Sequence, residues 1–270
     1  MEEQQLFDAC RFGNVEEVKK LLQNLQININ CEDKNNSDWT PFYLACLNQH
    51  TEVVKLFLKD ERLELNKVDQ RGQTAFWVAC ESGLIESMKL FVSDQRVDIN
   101  KPNNDGQTPL HIACRNGHIE AVKMLLDDER VDINKANRRG TTPLHIACTN
   151  GQIEIVKLLI NDERIDIDNM VNDGWTPFCL ACENGQIEIV KLLINDERID
   201  INKADNEDQI PLSIACEQGH IEIVKLLLND ERVDTNNEKN DGITPFYVAC
   251  QFGQIEIVKL LLNDQRVDIN

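Results

Sequence analysis

Apolar and polar positions follow a pattern that recurs every 34 residues along most of this chain. Each period holds two short apolar blocks, such as TPLHIAC at residues 108–114 and GHIEAVKMLL at residues 117–126. A polar segment rich in Asp, Asn and Arg separates one pair of blocks from the next, as in residues 127–140. A fixed interval of this length is typical of tandem structural repeats and predicts the same local structure in every period.

Each period predicts two short helices. Thr108 is suited to cap the first helix, and Pro109 to its first position, where a missing N–H costs no hydrogen bond. Gly117 can end that helix because glycine tolerates a left-handed backbone. In the second block, four apolar residues recur at helical spacing: Ile119, Val122, Leu125 and Leu126. The polar segment then predicts an extended or hairpin-like connector.

The cysteines give the number of repeats. Seven of them lie 34 residues apart: Cys46, Cys80, Cys114, Cys148, Cys182, Cys216 and Cys250. Cys10 precedes the first of these by 36 residues, which makes eight units, the first slightly irregular. Their approximate bounds are residues 1–34, 35–68, 69–102, 103–136, 137–170, 171–204, 205–238 and 239–270. Residues 151–167 and 185–201 are identical, which indicates duplication of a whole unit.

One unit cannot fold alone. Two short helices bury too little apolar surface to offset the conformational entropy that is lost when 34 residues become ordered. Neighbouring units must supply the missing burial on both sides, and we therefore expect a linear solenoid with contacts between adjacent units only. We expect residues 1–270 to form one domain of this kind.

These blocks together resemble the ankyrin repeat. The TPLHIA block, the glycine three positions after the cysteine, the IEIVKLL helix and the closing DIN carry the resemblance, which covers residues 2–270. It implies an all-α fold, an ankyrin-repeat solenoid of stacked antiparallel helix pairs with hairpin-like connecting fingers. It also implies a concave face that grips other proteins.

The chain departs from the family pattern in the turn after the second helix. Sequences such as NDERIDIN at residues 195–202 contain no glycine there and are one residue longer, so the geometry of this turn is left open. Gln49 also stands where the other units have glycine between the helices, Ala75 replaces proline, and Ile210 replaces threonine. We expect the units with these substitutions to be locally looser.

Charge and hydropathy exclude several classes of partner. Forty-seven acidic against 28 basic residues give a net charge of −19, which repels nucleic-acid backbones and anionic membranes. No apolar run approaches the length of a transmembrane helix, and the acidic N-terminus lacks the pattern of a secretory signal. We expect a cytoplasmic protein, with the nucleus as an alternative, that binds neither nucleic acid nor membranes.

The ten cysteines are interpreted as free core residues. Stacked repeats place successive cysteines about 8–10 Å apart, whereas a disulfide needs Cα atoms about 4.4–6.8 Å apart. Cys179 and Cys182 form a C-x-x-C pair, but no second pair completes a zinc site. So many free thiols favour a reducing compartment.

No catalytic constellation stands out. The five histidines occupy repeat slots, and the chain contains no H-E-x-x-H, G-x-S-x-G or G-x-x-x-x-G-K-[ST] motif. Acidic residues recur in one slot of the second helix, as Glu120 and Glu154 do, which indicates a solvated helix face. We therefore expect no enzymatic activity, no catalytic residue, no cofactor and no metal.

Slots that change from unit to unit are candidates for recognition. They lie beside the connector glycine and just after the repeat cysteine, and all three Trp residues fall in or next to them. Trp and Arg dominate many interface energies. The candidate protein-binding residues are Trp39, Arg71, Trp77, Arg115, Arg138, Arg139, Trp175 and Phe252. An ordinary solvated surface is the alternative interpretation.

We expect a monomeric scaffold that binds a partner protein. The alternative is a recognition or spacer module of a longer protein whose activity lies elsewhere. The last helix, QIEIVKLLLND, keeps the apolar residues of the interior copies instead of a polar outer face. A shortened chain and a naturally open array both fit this missing cap.

Overall fold

The computed structural model describes residues 2–34, 37–238 and 242–268, which form sixteen α-helices. The chain divides into two compact units, Met1–Arg138 and Arg139–Asn270. Unit 1 contains α1 (Glu2–Phe12), α2 (Val15–Leu22), α3 (Pro41–Leu47), α4 (Thr51–Leu58), α5 (Ala75–Glu81), α6 (Ile85–Ser93), α7 (Pro109–Asn116) and α8 (Ile119–Leu126). Unit 2 contains α9 (Pro143–Thr149), α10 (Ile153–Ile160), α11 (Pro177–Glu183), α12 (Ile187–Ile194), α13 (Pro211–Gln218), α14 (Ile221–Leu228), α15 (Pro245–Gln251) and α16 (Ile255–Asn263).

Each of these two compact units is a stack of four helix pairs. In unit 1, the first helices α1, α3, α5 and α7 pack side by side, and the second helices α2, α4, α6 and α8 form a parallel layer behind them. The same two layers recur in unit 2. The described residues contain no strand, only two isolated β-bridges, so the predicted all-α repeat architecture of helix pairs is confirmed.

The predicted helix boundaries are confirmed in the fourth repeat. Thr108 caps α7 by accepting a hydrogen bond from the backbone N–H of His111, and Pro109 occupies the first helical position. Gly117 ends the helix in a left-handed conformation with φ of 73°. In the seventh repeat, Ile210 offers no side-chain acceptor, and α13 begins without this cap.

The core lies between the two layers of helices. Val122 and Leu125 of α8 are fully buried, as predicted. Ile119, which the same pattern placed on the apolar face, is 37% exposed. It is the first residue of the helix, so it lies at the edge of the contact between repeats, and Ala121 takes a buried position instead.

An Asp–Arg fork forms the turn that the sequence left open. The guanidinium of Arg96 donates to the Asp94 carboxylate at 2.7 Å and to the Leu58 carbonyl at 2.8 Å. Leu58 ends α4 of the preceding repeat, so the arginine satisfies a helix carbonyl that has no partner within its helix. The same fork joins Arg62 to Leu22, Arg130 to Val92, Arg198 to Ile160, Arg232 to Ile194 and Arg266 to Leu228.

An asparagine bracket follows several of these forks. Asn100 donates to the Arg130 carbonyl at 2.6 Å and accepts from the backbone N–H of Asp132 at 2.9 Å. Its amide therefore forms one donated and one accepted hydrogen bond with the backbone of the next repeat, as a residue in a β-sheet does with the neighbouring strand. Equivalent brackets are made by Asn30, Asn66, Asn202 and Asn236.

The glycine between the two helices makes room for the next repeat. Gly83 has φ of +64°, and a Cβ built on it would lie 2.9 Å from Nδ1 of His118. Nε2 of His118 lies 2.8 Å from the Glu81 carbonyl, to which its N–H donates. Where Gln49 replaces this glycine, with φ of 61°, the next repeat has Leu84 instead of the histidine.

No helix among the described residues has both the length and the apolar character needed to cross a bilayer.

Candidate functional site

The fingers are the hairpin turns that precede the first helices. In the finger before α5, the backbone N–H of Asp69 donates to the Gln73 carbonyl at 3.0 Å. The Asp69 carboxylate accepts from the backbone N–H of Arg71 and of Gln73, each at 2.8 Å. Asn103 and Asp205 hold the corresponding fingers in the same way, so the predicted hairpin-like connector is confirmed.

Adjacent fingers are joined in register within each unit. In unit 1, Asn104 donates its backbone N–H to the Arg71 carbonyl at 2.9 Å, and Arg138 donates to the Asp105 carbonyl at 3.2 Å. In unit 2, the carbonyl of Arg139 accepts from the backbone N–H of Asn172, and the carbonyl of Asp173 from that of Asn206. The fingertips of each unit therefore form a row. The candidate residues Arg71, Arg138 and Arg139 are exposed on these rows.

Trp39 is half-buried at the base of the finger before α3. Its ring stacks on Tyr43, with centroids 5.5 Å apart and an interplanar angle of 18°. The indole also packs against the apolar cluster of Phe7, Cys31 and Leu44. The core thus fixes one part of the Trp39–Tyr43 pair, and the rest of the pair faces solvent.

Trp77 lies in the core, in contrast to the sequence-based expectation of a surface contact. Its side chain is 2% exposed, and Nε1 donates to the Gln107 carbonyl at 2.9 Å. Trp77 occupies the slot of His111 in a later repeat, one turn into the first helix, where side chains point between repeats. Its proximity to the variable slots in sequence does not bring it to the surface, so Trp77 is not part of the candidate surface.

Basic side chains compensate acidic ones on the surface of unit 1. The exposed Arg115 donates to the side chain of Gln107. Partial burial raises the pKa of Glu81, and the charge of Arg71 opposes that rise. The charges of Asp69, Glu81 and Arg71 all act on the Tyr43 hydroxyl, so this surface carries charges of both signs beside the Tyr43 ring.

Trp175 is half-buried in unit 2 and borders a depression. Its backbone carbonyl accepts from the backbone N–H of Val171 at 3.0 Å and lies 3.2 Å from Nε2 of His145, which fixes the base of the finger. The depression has a volume of about 180 Å³ and is lined by Asp173, Trp175, Asp205, Asn206, Glu207 and Gln209. Phe252, 50% exposed, lies two repeats further on, after α15.

Acidic groups around this depression were not among the predicted residues. Asp205 is 6% exposed, and Gln209 donates from Nε2 to the Glu217 carboxylate at 2.9 Å. Burial, followed by the charge of Glu217, raises the pKa of Glu183. Glu183 and Glu217 fill the slot just after the repeat cysteine, which the sequence marked as variable. A comparison of charge at that slot across successive repeats would have found them.

The described residues show no metal site, and most of their thiols are buried. No group of three or more His, Cys, Asp or Glu side chains is arranged to hold a metal ion in the part of the chain that the structure describes. All ten cysteines are free, and all but Cys250 are buried. Burial raises the pKa of the Cys31 thiol to about 11 and that of Cys216 to about 12, which disfavours the reactive thiolate.

The buried histidines have structural partners. Nδ1 of His111 lies 2.7 Å from the Thr108 hydroxyl, and His145 makes the same contact with Thr142. Cys179, which replaces histidine in this slot, accepts a hydrogen bond from the Thr176 hydroxyl at 3.3 Å. The C-x-x-C pair is thus explained by the packing of a first helix.

Comparison with known proteins identifies the repeat. A family model described as "Ankyrin repeats (3 copies)" matches residues 6–103, 58–137, 76–170, 129–205 and 197–270. Human oxysterol-binding protein-related protein 1 is 45% identical over 64 residues, which are 21% of this chain and 7% of that protein. Human short transient receptor potential channel 3 is 38% identical over 63 residues, which are 23% of this chain and 7% of that protein.

The chain thus matches about 7% of the length of these curated relatives. The family matches together cover residues 6–270, which contain all of the sixteen helices except the start of α1. Ankyrin repeats are generally non-enzymatic modules for protein–protein interaction. This chain belongs to the ankyrin repeat family.

Proposed function

We propose that this chain is a non-catalytic scaffold that binds a partner protein through its fingertips and the adjoining ends of its first helices. We infer from the family resemblance that this surface is the concave face. The observation that carries the proposal is the row of fingertips in each unit, where backbone hydrogen bonds fix the register. The side chains on the row are therefore free to vary without loss of the stack, which is what a recognition surface requires.

Aromatic and arginine side chains support the same surface. Trp39 and Trp175 are half-buried and anchored, so little side-chain entropy is lost when a partner covers them. Arg71 is exposed on the fingertip row of unit 1, and Arg139 is exposed on that of unit 2. Residues of these types carry a large share of the binding energy in many interfaces.

The test is affinity capture from native lysate, identification of the captured protein by mass spectrometry, and an alanine scan against that protein. Trp39→Ala and Arg71→Ala probe unit 1, while Arg139→Ala and Trp175→Ala probe unit 2. Lys123→Ala and Lys157→Ala are matched controls because these exposed lysines lie on second helices. We expect at least one fingertip variant to weaken binding tenfold or more, and unchanged affinity for all four would reject this surface.

We further propose that the isolated chain is a monomer without enzymatic activity and works in a reducing compartment, the cytosol or the nucleus. Ten free cysteines support the choice of compartment, since free thiols persist where disulfides do not form. A screen for hydrolase, transferase and ligase activities and a mass measurement by light scattering test these statements. Turnover that depends on the chain, or a stable dimer, would contradict them.

A second candidate function is a recognition or spacer module of a longer protein. The observation in its favour is that the curated relatives are long proteins in which the matched segment is about 7% of the length. The length of the native transcript distinguishes the two candidates. A coding region that extends well past these 270 residues would favour the module.

A further inference from the structure

The depression beside Trp175 is lined by several acidic side chains. Asp173 and Glu207 are exposed at its rim, and Asp205 lies at its base. Glu217 is linked to the depression through the Gln209 amide. The cavity of about 180 Å³ is open to a partner, with one wall formed by the half-buried Trp175.

These carboxylates lack basic partners. In the described part of unit 2, the ion pairs join Glu to Lys on second helices, as in Glu188–Lys191, or Asp to Arg in the forks, as in Asp196–Arg198. The remaining pairs of the unit are of the same two kinds. None of them includes Asp173, Glu207 or Glu217. Their negative charge is therefore available to a cationic group from outside.

The same slots carry charges of both signs in unit 1. Arg71 and Asp105 precede the finger glycine there, whereas the sixth and seventh repeats have Asp173 and Glu207 in that slot. Glu81 and Arg115 follow the repeat cysteine in unit 1, whereas Glu183 and Glu217 stand in the sixth and seventh repeats. Acidic residues at every one of these positions are thus a property of the sixth and seventh repeats and not a general feature of the fold.

We propose that the depression beside Trp175 binds a basic peptide segment and seats one arginine side chain against the indole, between Asp173 and Glu207. This inference rests on the proposed function and names the chemical class of partner for unit 2. The cavity is several times the roughly 30 Å³ that one water occupies, which leaves room for a guanidinium group. A guanidinium can stack on an indole face and donate to carboxylates at the same time.

The probe is a fluorescein-labelled nine-residue peptide of alternating Arg and Ser, titrated with the full chain in 150 mM NaCl and followed by anisotropy. A peptide with citrulline in place of arginine keeps the shape and removes the charge. We expect the arginine peptide to bind and the citrulline peptide to bind at least tenfold more weakly. Equal binding of the two peptides would overturn the proposal.

Variants locate the binding on the molecule. We expect Trp175→Ala and the double variant Asp173→Asn/Glu207→Gln each to weaken binding about tenfold. Glu154→Gln/Glu188→Gln is the matched control, since it removes the same charge from second helices, and it should change affinity less than twofold. An equal loss in the control would mean that the net charge of −19 attracts the peptide without a site, which would reject the proposal.

Two further measurements distinguish loss of the site from misfolding of the Trp175→Ala variant. Trp175→Phe keeps an aromatic face and should retain most of the affinity. In the parent chain, NMR should show the indole N–H signal of Trp175 shifting on addition of peptide, while the buried Trp77 stays unchanged. No shift at Trp175 would reject this inference alone. If Trp39→Ala or Arg71→Ala still abolished partner capture, the proposed function would stand.

Discussion

Asp168 accepts a hydrogen bond from the backbone N–H of Asp200 at 2.8 Å, in the slot where other repeats have asparagine. Its second oxygen, Oδ1, is buried without a hydrogen-bond partner. An asparagine there would also donate to the carbonyl of the next fork, as Asn202 does to Arg232 at 2.7 Å. Burial raises the pKa of the Asp168 carboxyl. The bracket between the fifth and sixth repeats is therefore incomplete.

Asp168→Asn should stabilise the protein by about 1 kcal/mol at neutral pH, because it supplies the missing donor and removes a buried charge. The folded-state pKa of Asp168 is raised, so this carboxyl destabilises the fold increasingly as the pH rises through that value. The advantage of the asparagine variant should therefore be smallest near pH 4 and largest at pH 7. Urea unfolding at several pH values measures it.

Asn202→Asp is the matched control, since it introduces the same defect into a complete bracket. We expect it to destabilise the protein by a similar amount, with the same dependence on pH. If neither substitution changed the free energy of unfolding, the brackets would contribute nothing to stability.

Acid should weaken the forks, whereas it should reduce the destabilising effect of Asp168. Hydrogen bonds from Arg96 lower the pKa of Asp94 below its ordinary value. A carboxyl group with a lowered folded-state pKa stabilises the fold above pH 4. This stability is lost as the pH falls through the folded-state pKa. Asp94→Asn should therefore cost about 0.5–1.5 kcal/mol at pH 7 and much less near pH 2, as measured by chemical unfolding. A constant difference over that range would contradict the role of the ionised fork.

Gly83→Ala should destabilise unit 1 for two reasons. The left-handed backbone, with φ of +64°, disfavours any Cβ by about 1–2 kcal/mol, and the new methyl group would crowd the His118 ring. Gly253→Ala is the matched control because Gly253 has φ of +68° and open space around a Cβ. The Gly83 variant should lose more stability than the Gly253 variant, and the difference reports the contact with histidine. Equal losses in urea melts would show that this contact is easily displaced.

Leu125→Ala should cost about 2–5 kcal/mol, because Leu125 is fully buried and its removal leaves a cavity between repeats. Leu262→Ala serves as the control, since Leu262 is 52% exposed on the last helix and should matter far less. Urea unfolding compares both with the parent. A loss under about 0.5 kcal/mol for Leu125→Ala would be incompatible with its burial.

The sequence was sufficient to predict the architecture because the same local signals recur in every 34-residue repeat. Thr108, Pro109 and Gly117 each act on the backbone within one turn, so their effects could be predicted without knowledge of distant contacts. The Asp94–Arg96 fork could not be predicted in this way, since its function depends on Leu58 of the preceding repeat.

The candidate surface was predicted only in part for the same reason. Trp77 neighbours variable slots in sequence, yet the position of its side chain depends on the register between repeats, which buries it against Gln107. Arg71 and Arg138 lie at fingertips, where sequence position alone determines exposure. The acidic surroundings of Trp175 emerge only when residues from two successive repeats are placed together.

Asparagine side chains such as Asn100 recognise only main-chain atoms of the following repeat. A newly inserted copy would therefore be accepted at its junctions whatever residues it displays at its fingertip. Gene segments that encode single repeats can be copied and then diverge in specificity without any compensating change in their neighbours. Such a history accounts for an identical stretch at residues 151–167 and 185–201 beside fingertips that differ.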